Sequence, residues 1–466
     1  MTLSPRAVRL SWMNTLKSAR WIGLLLLSGL AWGQPAPEEP PVQTPTGAWV
    51  HEMEFRIRSE SWDWFEPVQG GNDYTYAHAR LRARLGYRVP KEWEALLEVQ
   101  DVQTLGVPST AIGQGAIGQM GIGGILYGHS ARASSNTAGI RQAYLRIGDP
   151  DEFQLQVGRM EYSSGMQVVP QDKALAQLKR MRIKDRLLGT FDFSPYARTF
   201  DGIRLDGESG GVHATAFVAK PTQGGFEPHF ASTMGDLTVG ELSVTLKQAD
   251  LIADGEAQFF WTYYDDHRRV PQVDNRLPAQ RGQIAASGGN QLNTLGFHLM
   301  HRLGEDGDLL LWYAHQTGRW GGLSHQADAF SVELGYQWKD VDWKPWVRGG
   351  YSYFSGDDSP SDGVHSTFHP LLPTIRPYAM MPFYTQSNLK DVFAQVLLKP
   401  GPDWTARMDV HFLNLASAQD LWYVGSGATQ NRGSINGYAG RPGGGGSHLG
   451  TLLDLGVDYQ LDDNNK

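Results

Sequence analysis

The 466-residue sequence contains no cysteine. Disulfides, thiolate metal sites and cysteine nucleophiles are therefore excluded, and stability must come from burial and hydrogen bonding. The chain also lacks any run approaching 18 consecutive apolar residues, which excludes a transmembrane helix. It has instead 55 glycines and 11% aromatic residues. Abundant glycine and aromatic residues without long apolar runs are typical of a transmembrane β-barrel, whose strands need only every second residue apolar.

An excess of positive charge is also lacking, since the formal net charge is −8. The first 33 residues carry four basic and no acidic residues, so the remainder has a net charge of −12. This balance argues against a nucleic-acid partner. It leaves room for a local basic region, because clustering and total charge are separate properties.

The N-terminus has the plan of a secretory signal peptide. Four basic residues precede the ten-residue apolar run WIGLLLLSGL at 21–30, and small residues follow at Ala31 and Gly33. We predict a signal peptide over residues 1–33, because the apolar run is too short to anchor the chain in a bilayer. Residues 34–48 are rich in Pro and Glu and are predicted to form a flexible linker.

Strand-like alternation begins after the linker. Residues 79–89 read ARLRARLGYRV, with Arg80, Arg82 and Arg84 separated by apolar residues. A period of two is that of a β-strand with one charged and one apolar face. An arginine facing the middle of a bilayer costs about 2–4 kcal/mol, so we expect these three arginines to face water and the residues between them to face lipid.

The same alternation recurs along residues 49–466, which are predicted to be one domain with about sixteen strands, within two. Short polar connections near 150, 209, 306, 340 and 401 take turns with long ones near 104–138, 163–197, 265–291, 356–389 and 415–447. This alternation predicts an all-β transmembrane antiparallel β-barrel of about 16–18 strands, with short periplasmic turns and long extracellular loops, in the bacterial outer membrane. A soluble β-sandwich or propeller is the alternative, and the signal peptide and the aromatics bracketing the apolar faces favour the barrel.

Basic residues recur on or near the polar faces of the predicted strands. They are Arg56, Arg58, Arg80, Arg82, Arg84, Arg146, Arg204, Arg302, Arg348 and Arg407. Because a barrel of this size is expected to have a lumen, and rings of Arg select anions in pores, the group predicts an anion path. Acidic residues share these faces, so any single arginine can equally be paired with an acid on the next strand.

Two motifs carry a resemblance to a known family. FQLQVGRMEYSSG begins at Phe153, and RTFDGIRLDG begins at Arg198. Together they resemble the alginate export family of outer-membrane barrels, although Met160 stands where that family usually has Gln. The resemblance implies an 18-stranded barrel with an electropositive constriction. Carried over by position, the implied constriction residues are Arg84, Arg141, Arg159 and Arg204, with the acid Asp201.

Arg141 and Arg159 pose a register problem, because they share parity with residues assigned to the lipid face. Either a β-bulge lies nearby or the predicted register is wrong. The resemblance further implies an anionic polysaccharide as the transported partner, a periplasmic export scaffold and a monomeric barrel within the outer-membrane bilayer.

The C-terminal residues YQLDDNNK look like the start of another periplasmic turn. Either the barrel closes at sixteen strands with a polar tail, or the chain lacks a final hairpin. The second alternative is favoured, because an unclosed barrel would leave two unpaired edges in lipid.

The leading hypothesis is a channel that passes an alginate-like polyuronate or another anion through an arginine-lined lumen. The alternative is a general or small-anion diffusion porin, which needs an inward-folded constriction loop. The segment 163–197 could supply that loop or a basic gate, or be only a solvated surface loop. Its cationic residues are Lys173, Lys179, Arg180, Arg182, Lys184 and Arg186.

Enzyme chemistry is not indicated. Ser, His and Asp occur in loops near 129 and 362, but no motif places a nucleophile on a strained turn or orients a base. His267, His365 and His369 are too scattered along the sequence to predict a metal site. We therefore expect no catalytic residue, no cofactor and no metal.

Overall fold

The computed structural model describes residues 46–63, 73–111, 121–225, 227–247, 251–268, 273–277, 289–374, 378–380, 384–425 and 438–461. The predicted signal peptide lies outside these residues, as does nearly all of the predicted linker. Almost all of the regular structure is β. The alternation of polar and apolar residues explains why, since each strand presents one face to the interior and one to the surroundings.

Sixteen long strands form the main sheet. Their bounds are β1 (Ala48–Asp63), β2 (Asp73–Val89), β3 (Trp93–Leu105), β4 (Ser135–Asp149), β5 (Phe153–Met160), β6 (Phe200–Ser209), β7 (Val212–Pro221), β8 (Leu237–Leu246), β9 (Gly255–Asp266), β10 (Asn290–Leu303), β11 (Gly307–Trp320), β12 (Leu323–Gln337), β13 (Trp346–Phe354), β15 (Leu389–Gly401), β16 (Trp404–Leu415) and β19 (His448–Tyr459). Three short strands belong to loops, namely β14 (Val364–His365), β17 (Leu421–Gly425) and β18 (Tyr438–Pro442).

Each long strand pairs antiparallel with the next long strand along the chain, from β1 through to β19. The short β14 lies parallel to β12, and β17 and β18 form a separate hairpin. This up-and-down order is that of an outer-membrane β-barrel and confirms the predicted fold class.

The polarity of the two faces of the sheet is opposite to that in a soluble protein, because the charged face is buried and the apolar face is exposed. On β2, Arg80 and Arg82 are buried, whereas Leu81 and Leu85 are exposed. The same holds on β1, where Phe55 is 50% exposed. The apolar face therefore points outward to lipid and the charged face inward, as the alternation predicted.

Outward-facing aromatics cluster at the periplasmic ends of neighbouring strands. Tyr87 on β2 lies between Trp49 on β1 and Trp93 on β3, with ring centroids 5.3 and 5.6 Å apart. On the far side of the sheet, Trp404 on β16 and Tyr459 on β19 lie 4.5 Å apart. Such rings form the aromatic girdle at the membrane interface.

The connections follow the predicted alternation of length. Short turns join strands at one end, and long loops at the other end include residues 106–134, 161–199, 267–289, 355–388 and 416–447. Two features were not predicted. One is a further loop at 222–236, and the other is a two-residue turn at Gly321 and Gly322, whose φ angles of 48° and 88° suit a type I′ hairpin.

Helical structure is confined to the loops. It comprises a 3-10 turn at Ser109–Ala111, α1 (Gly121–Ser130) and α2 (Lys173–Arg182). Asp172 caps α2 by accepting a hydrogen bond from Leu175 N at 2.8 Å. None of the helices in the described ranges has the length and apolar character needed to cross a membrane.

A β-bulge resolves the register question at Arg141. Glu98 on β3 pairs with Gln142, but the next residue, Val99, pairs with Ile140. Arg141 is therefore the extra residue, and both it and Gln142 are buried. The first of the two alternatives, a bulge, is correct for Arg141.

Candidate functional site

The interior is occupied by the inward loop, residues 161–199, which connects β5 to β6. Leu175, Leu178 and Leu187 of this loop pack in one apolar cluster with wall residues such as Phe217 and Trp312. The loop therefore folds into the barrel, which excludes the reading of this segment as a solvated surface loop. It also changes the expectation of an open lumen, because a loop rather than wall side chains fills the interior here.

The basic wall is the part of the interior formed by β1 to β4. Its arginines include Arg56, Arg58, Arg80, Arg82, Arg84, Arg141 and Arg146, and all of these point inward. Strand alternation predicted all of them except Arg141, which was implied by the family resemblance. Neighbouring positions on antiparallel strands bring them together, because Glu54 pairs with Arg82 and Arg56 pairs with Arg80 across β1 and β2.

Asp192 of the inward loop is the central counter-charge of the basic wall. Its Oδ1 lies 2.9 Å from Arg80 Nη1 and 2.5 Å from Arg82 Nη2, and Arg56 Nη1 donates to its backbone carbonyl at 2.9 Å. Partial burial acts to raise the pKa of Asp192, but Arg80, Arg82 and Arg141 outweigh it and hold that pKa well below its ordinary range. The side chain remains 41% exposed, so a solute in the lumen can reach it.

The other arginines of the basic wall also have acidic or carbonyl partners. Arg84 Nη2 lies 2.6 Å from Glu98, and Arg141 Nη1 lies 2.6 Å from the same carboxylate. Arg58 donates to the carbonyl of Phe193 at 2.8 Å and stacks over its ring at 3.9 Å. Each arginine is thus partnered, as pairing across neighbouring strands predicted for single residues.

The acidic wall lies across the interior, on strands β8 to β19. Its buried acids in the described residues are Glu241, Glu256, Asp266, Asp308, Glu333, Asp391, Asp409 and Asp454. The cationic side of the inward loop faces this wall. Arg182 Nε donates to both carboxylate oxygens of Glu333 at 2.9 Å, Lys179 pairs with Glu256, and Arg186 Nη1 donates to Ser331 Oγ at 2.6 Å.

The inward loop is therefore charged to match both walls. Its helix α2 carries cations toward the acidic wall, and Asp192 carries an anion toward the basic wall. Burial lowers the pKa of Lys179, with Glu256 opposing that effect. Charge pairs of this kind fix one orientation of the loop in the lumen, because reversing it would bring like charges together.

A second segment, residues 366–388, holds the inward loop in place. Gly189 N donates to Leu372 O at 2.9 Å, and Tyr378 OH donates to Lys184 O at 2.8 Å. Thr374 Oγ1 donates to Asp185 Oδ2 at 2.8 Å, and burial raises the pKa of that carboxyl. Cavities between these segments and the wall are about 10 and 20 Å³. Each has room for about one water molecule, so the inward loop packs closely against the wall at these two places.

The remaining predicted inward residues lie outside the basic wall. Arg204 Nε lies 2.7 Å from Asp206 and stacks over Tyr162. Arg348 on β13 is buried and pairs with Asp308. Arg407 on β16 donates to Asp409 Oδ2 at 2.6 Å.

Arg159 and Asp201 are placed differently from their expected position in the constriction. They share the outward faces of β5 and β6 with the exposed Val157 and Ile203. Arg159 Nε and Nη2 donate to the two Asp201 oxygens at 2.6 and 2.8 Å. No bulge interrupts the pairing of β5 with β4 or β6, so alternation continues through residue 159 and keeps this ion pair on the outside.

Residues that the sequence did not single out complete the site. Asp192 stands in the predicted loop within the apolar stretch FDF, and Glu256 was assigned no role. The sequence feature that could have identified Asp192 is a charged residue between two aromatic residues in a long loop. His365 and His369, which looked scattered, both contact the Trp320 ring, at 4.3 and 5.0 Å between centroids.

Comparison with known proteins identifies relatives at two levels. The family model described as Alginate export matches residues 51–466. Among solved structures, OccAB3 of Acinetobacter baumannii is 13% identical over 89% of this chain and 98% of its own, with a TM-score of 0.46. The outer membrane protein opdK of Pseudomonas aeruginosa is 11% identical over 89% and 97%, with a TM-score of 0.43, and OprB of Pseudomonas putida is 10% identical over 78% and 89%, with a TM-score of 0.42. No curated protein matches the chain.

Proposed function

The chain belongs to the alginate export family of outer-membrane proteins, and on that basis we propose that its basic wall conducts an anionic polysaccharide of the polyuronate type. Membership of this family supports an outer-membrane channel for polysaccharide or small solutes. We further propose that the channel is selective for anions and that its inward-facing arginines provide this selectivity. These are the predicted Arg56, Arg58, Arg80, Arg82, Arg84 and Arg141, with Arg204, Arg348 and Arg407 contributing elsewhere in the interior.

One observation carries the proposal, namely the carboxylate of Asp192 seated among Arg80, Arg82 and Arg141. A uronate residue presents the same chemical group, a carboxylate, on a sugar ring. Guanidinium groups on rigid strands bind carboxylates through planar, charge-assisted hydrogen bonds. Asp192 therefore occupies a site that fits the carboxylate of a passing polyuronate.

The proposed mechanism is an exchange of carboxylates. With the inward loop seated, Asp192 pairs with Arg80 and Arg82 of the basic wall, and α2 is proposed to close the passage. An arriving polyuronate competes for the arginines, and several uronates along one chain act together in displacing a single aspartate. Once Asp192 is displaced, the contact of the loop with Arg80 and Arg82 of the basic wall is lost.

The test is planar-bilayer conductance of the refolded mature chain, with the reversal potential under a salt gradient and titrated polyuronate. We expect anion selectivity and block by polyuronate. Arg82→Ala should weaken block at least about tenfold, the loss of one good charge-assisted contact of about 1.5 kcal/mol. Arg159→Ala is the matched control, because Arg159 is also paired with an aspartate but faces outward. Block of this variant by polyuronate should be the same as block of the unmodified protein.

A general or small-anion diffusion porin is the competing function, and the inward loop itself favours it, because porins narrow their lumen with such a loop. Comparing block by a monomeric uronate with block by the polymer separates the two. Equal molar potency of monomer and polymer would favour the porin. Cation-selective conductance that ignores both would overturn the proposal.

Family membership also motivates proposals about the partners of the channel. A polymer entering from the periplasm needs a delivery scaffold there, and the channel is proposed to act as a monomer. Crosslinking in intact cells tests both. A specific periplasmic partner and no self-crosslink are expected, and a homotrimer would contradict the second.

A further inference from the structure

A second site lies on the acidic wall, away from the basic wall. Asp409 on β16 and Asp454 on β19 are direct cross-strand partners, and His411 is two residues along β16 on the same inward face. All three side chains are buried, with 0%, 6% and 1% relative exposure. One donor atom from each lies within 4.8 Å of the other two.

Two of these donor atoms have no protein partner in the described part of the chain. Asp409 Oδ1 and His411 Nε2 are buried and make no hydrogen bond. A buried carboxylate oxygen or imidazole nitrogen without a partner costs about 1–3 kcal/mol or more. Two such atoms on residues of one donor cluster, together with the Asp454 carboxylate, point to a cation bound by all three side chains.

The surrounding residues orient this donor set. His411 Nδ1 lies 2.9 Å from Asp391 Oδ2, so the ring donates its Nδ1–H to that carboxylate and Nε2 keeps a lone pair that can bind a metal. Carboxylates in this position are the usual second partners of metal-bound histidines. Arg407 holds the other oxygen of Asp409 at 2.6 Å, and Met380 N donates to Asp454 Oδ2 at 2.6 Å.

The charge of the cluster also calls for a cation. Asp391, Asp409 and Asp454 supply three negative charges. Arg407 pairs with Asp409, and Arg182, which is itself paired with Glu333, also interacts with Asp391. Like charges directly opposite each other on neighbouring strands are destabilising. A divalent ion compensates the excess negative charge of the cluster without any other change in the wall.

We propose that Asp409, His411 and Asp454 bind one first-row divalent cation, with Zn²⁺ the preferred ion. One imidazole nitrogen with two carboxylates suits Zn²⁺ and its neighbours better than Ca²⁺ or Mg²⁺, which take oxygen ligands. A spacing within 4.8 Å lets a single ion contact all three donors after small side-chain rotations. The ion fastens β16 to β19 and, through Asp454 and Met380, secures the segment at residues 378–380. This site is independent of the transported solute.

The test uses the full mature chain, refolded in detergent, stripped with EDTA and titrated with Zn²⁺ alone. One Zn²⁺ per chain is expected, with micromolar or tighter affinity and an upward shift in the unfolding temperature. Replacing Zn²⁺ with Co²⁺ should give visible absorption bands of a bound ion. No saturable Zn²⁺ binding up to about 1 mM would overturn the proposal, since such weak binding is worth only about 4 kcal/mol.

Three variants locate the site. His411→Gln should weaken Zn²⁺ binding by more than about 100-fold, and Asp391→Asn by about 10- to 100-fold through the orientation of His411. His213→Gln is the matched control, because His213 also stands on the inner wall with its two ring nitrogens 3.3 and 3.1 Å from Asp206 and Glu208. Heat-modifiable gel migration verifies that each variant is folded. Binding that survives in folded His411→Gln, or that is lost in His213→Gln, would contradict the assignment.

Discussion

At the scale of single residues, the position of an arginine in the strand decides what it does. Arg82 and Arg159 are both ion-paired with an aspartate on another segment. One faces the interior and the other faces outward, because each strand alternates its side chains. Selectivity should therefore depend on the inward arginines and on the acid that neutralises them.

The first prediction concerns that acid. Asp192→Asn removes the negative charge from among Arg80, Arg82 and Arg141 while keeping the size of the side chain. We expect the reversal potential to shift toward the anion equilibrium potential, because Arg80 and Arg82 then keep Glu54 but lose their second acidic partner. Asp201→Asn, on the outward face, should leave it unchanged. An identical reversal potential in both variants would show that the basic wall does not set selectivity.

A second residue-scale prediction concerns the buried pair of Arg182 and Glu333, whose side chains are 2% and 0% exposed. Glu333→Gln leaves the guanidinium without its charge partner and should destabilise docking of α2 by about 3–5 kcal/mol. Adding Arg182→Met should restore part of that loss. Hydrogen-exchange protection of the α2 amides measures both, and equal loss in the single and double variants would contradict a direct pairing.

At the scale of elements, two outer loops are joined through acidic side chains. Asp357 in loop 355–388 donates its backbone N–H to Asp420 Oδ2 of loop 416–447 at 3.0 Å. Burial, with the nearby Asp420 charge, raises the pKa of Asp357 to about 6 from its ordinary 3.8. The contact therefore brings two acidic residues together, and below about pH 6 the Asp357 carboxyl is mostly neutral and no longer repels Asp420.

The third prediction is that this contact strengthens as the pH falls. Because the folded-state pKa lies above the ordinary value, the folded state binds more protons between about pH 4 and pH 6. The stabilisation is complete below pH 4 and is lost as the pH rises through 6. Hydrogen-exchange protection in residues 416–424, corrected for intrinsic rates, should rise from pH 7.5 to pH 5. Asp357→Asn should abolish the dependence, and a persistent midpoint near pH 6 would assign it to another group.

The elements also show what the sequence could and could not predict. Strands, turns and the inward orientation of Arg80, Arg82 and Arg84 followed from alternation, since lipid penalises the opposite register. In the sequence, the bulge at Arg141 is marked only by an arginine at a position where the two-residue alternation requires an apolar residue. The direction of loop 161–199 was not predictable, because polar residues suit both solvent and a charged lumen. Its partners Glu256 and Glu333 lie on strands far along the chain, so their meeting depends on the tertiary fold.

At the scale of the whole molecule, the inward loop occupies the interior of the barrel and contacts both the basic wall and the acidic wall. Ser164 N donates to Leu188 O at 2.8 Å, so the two ends of the inserted part lie side by side. Between them run α2 and the cations that face the acidic wall. The insert can therefore be removed at its neck with little disturbance of β5 and β6.

The fourth prediction follows from that neck. Deleting residues 166–186 and joining the ends through a short glycine turn should raise single-channel conductance several-fold, because the insert fills the lumen. Deleting the exposed residues 444–446 of an outer loop should leave conductance unchanged. A folded loop-deleted barrel with wild-type conductance would mean that the passage is closed elsewhere.

The reach of the inward loop also bears on how the barrel is assembled. Arg56 and the Asp192 carbonyl that it binds are 136 residues apart, and Arg182 and Glu333 are 151 residues apart. Each strand pairs with the next strand along the chain, but the inward loop contacts both β1 and β12. Contacts so distant in sequence form late in folding. We therefore expect the strands to close into an open ring before the loop seats, so that leakage across the membrane through this ring ends only with that late step.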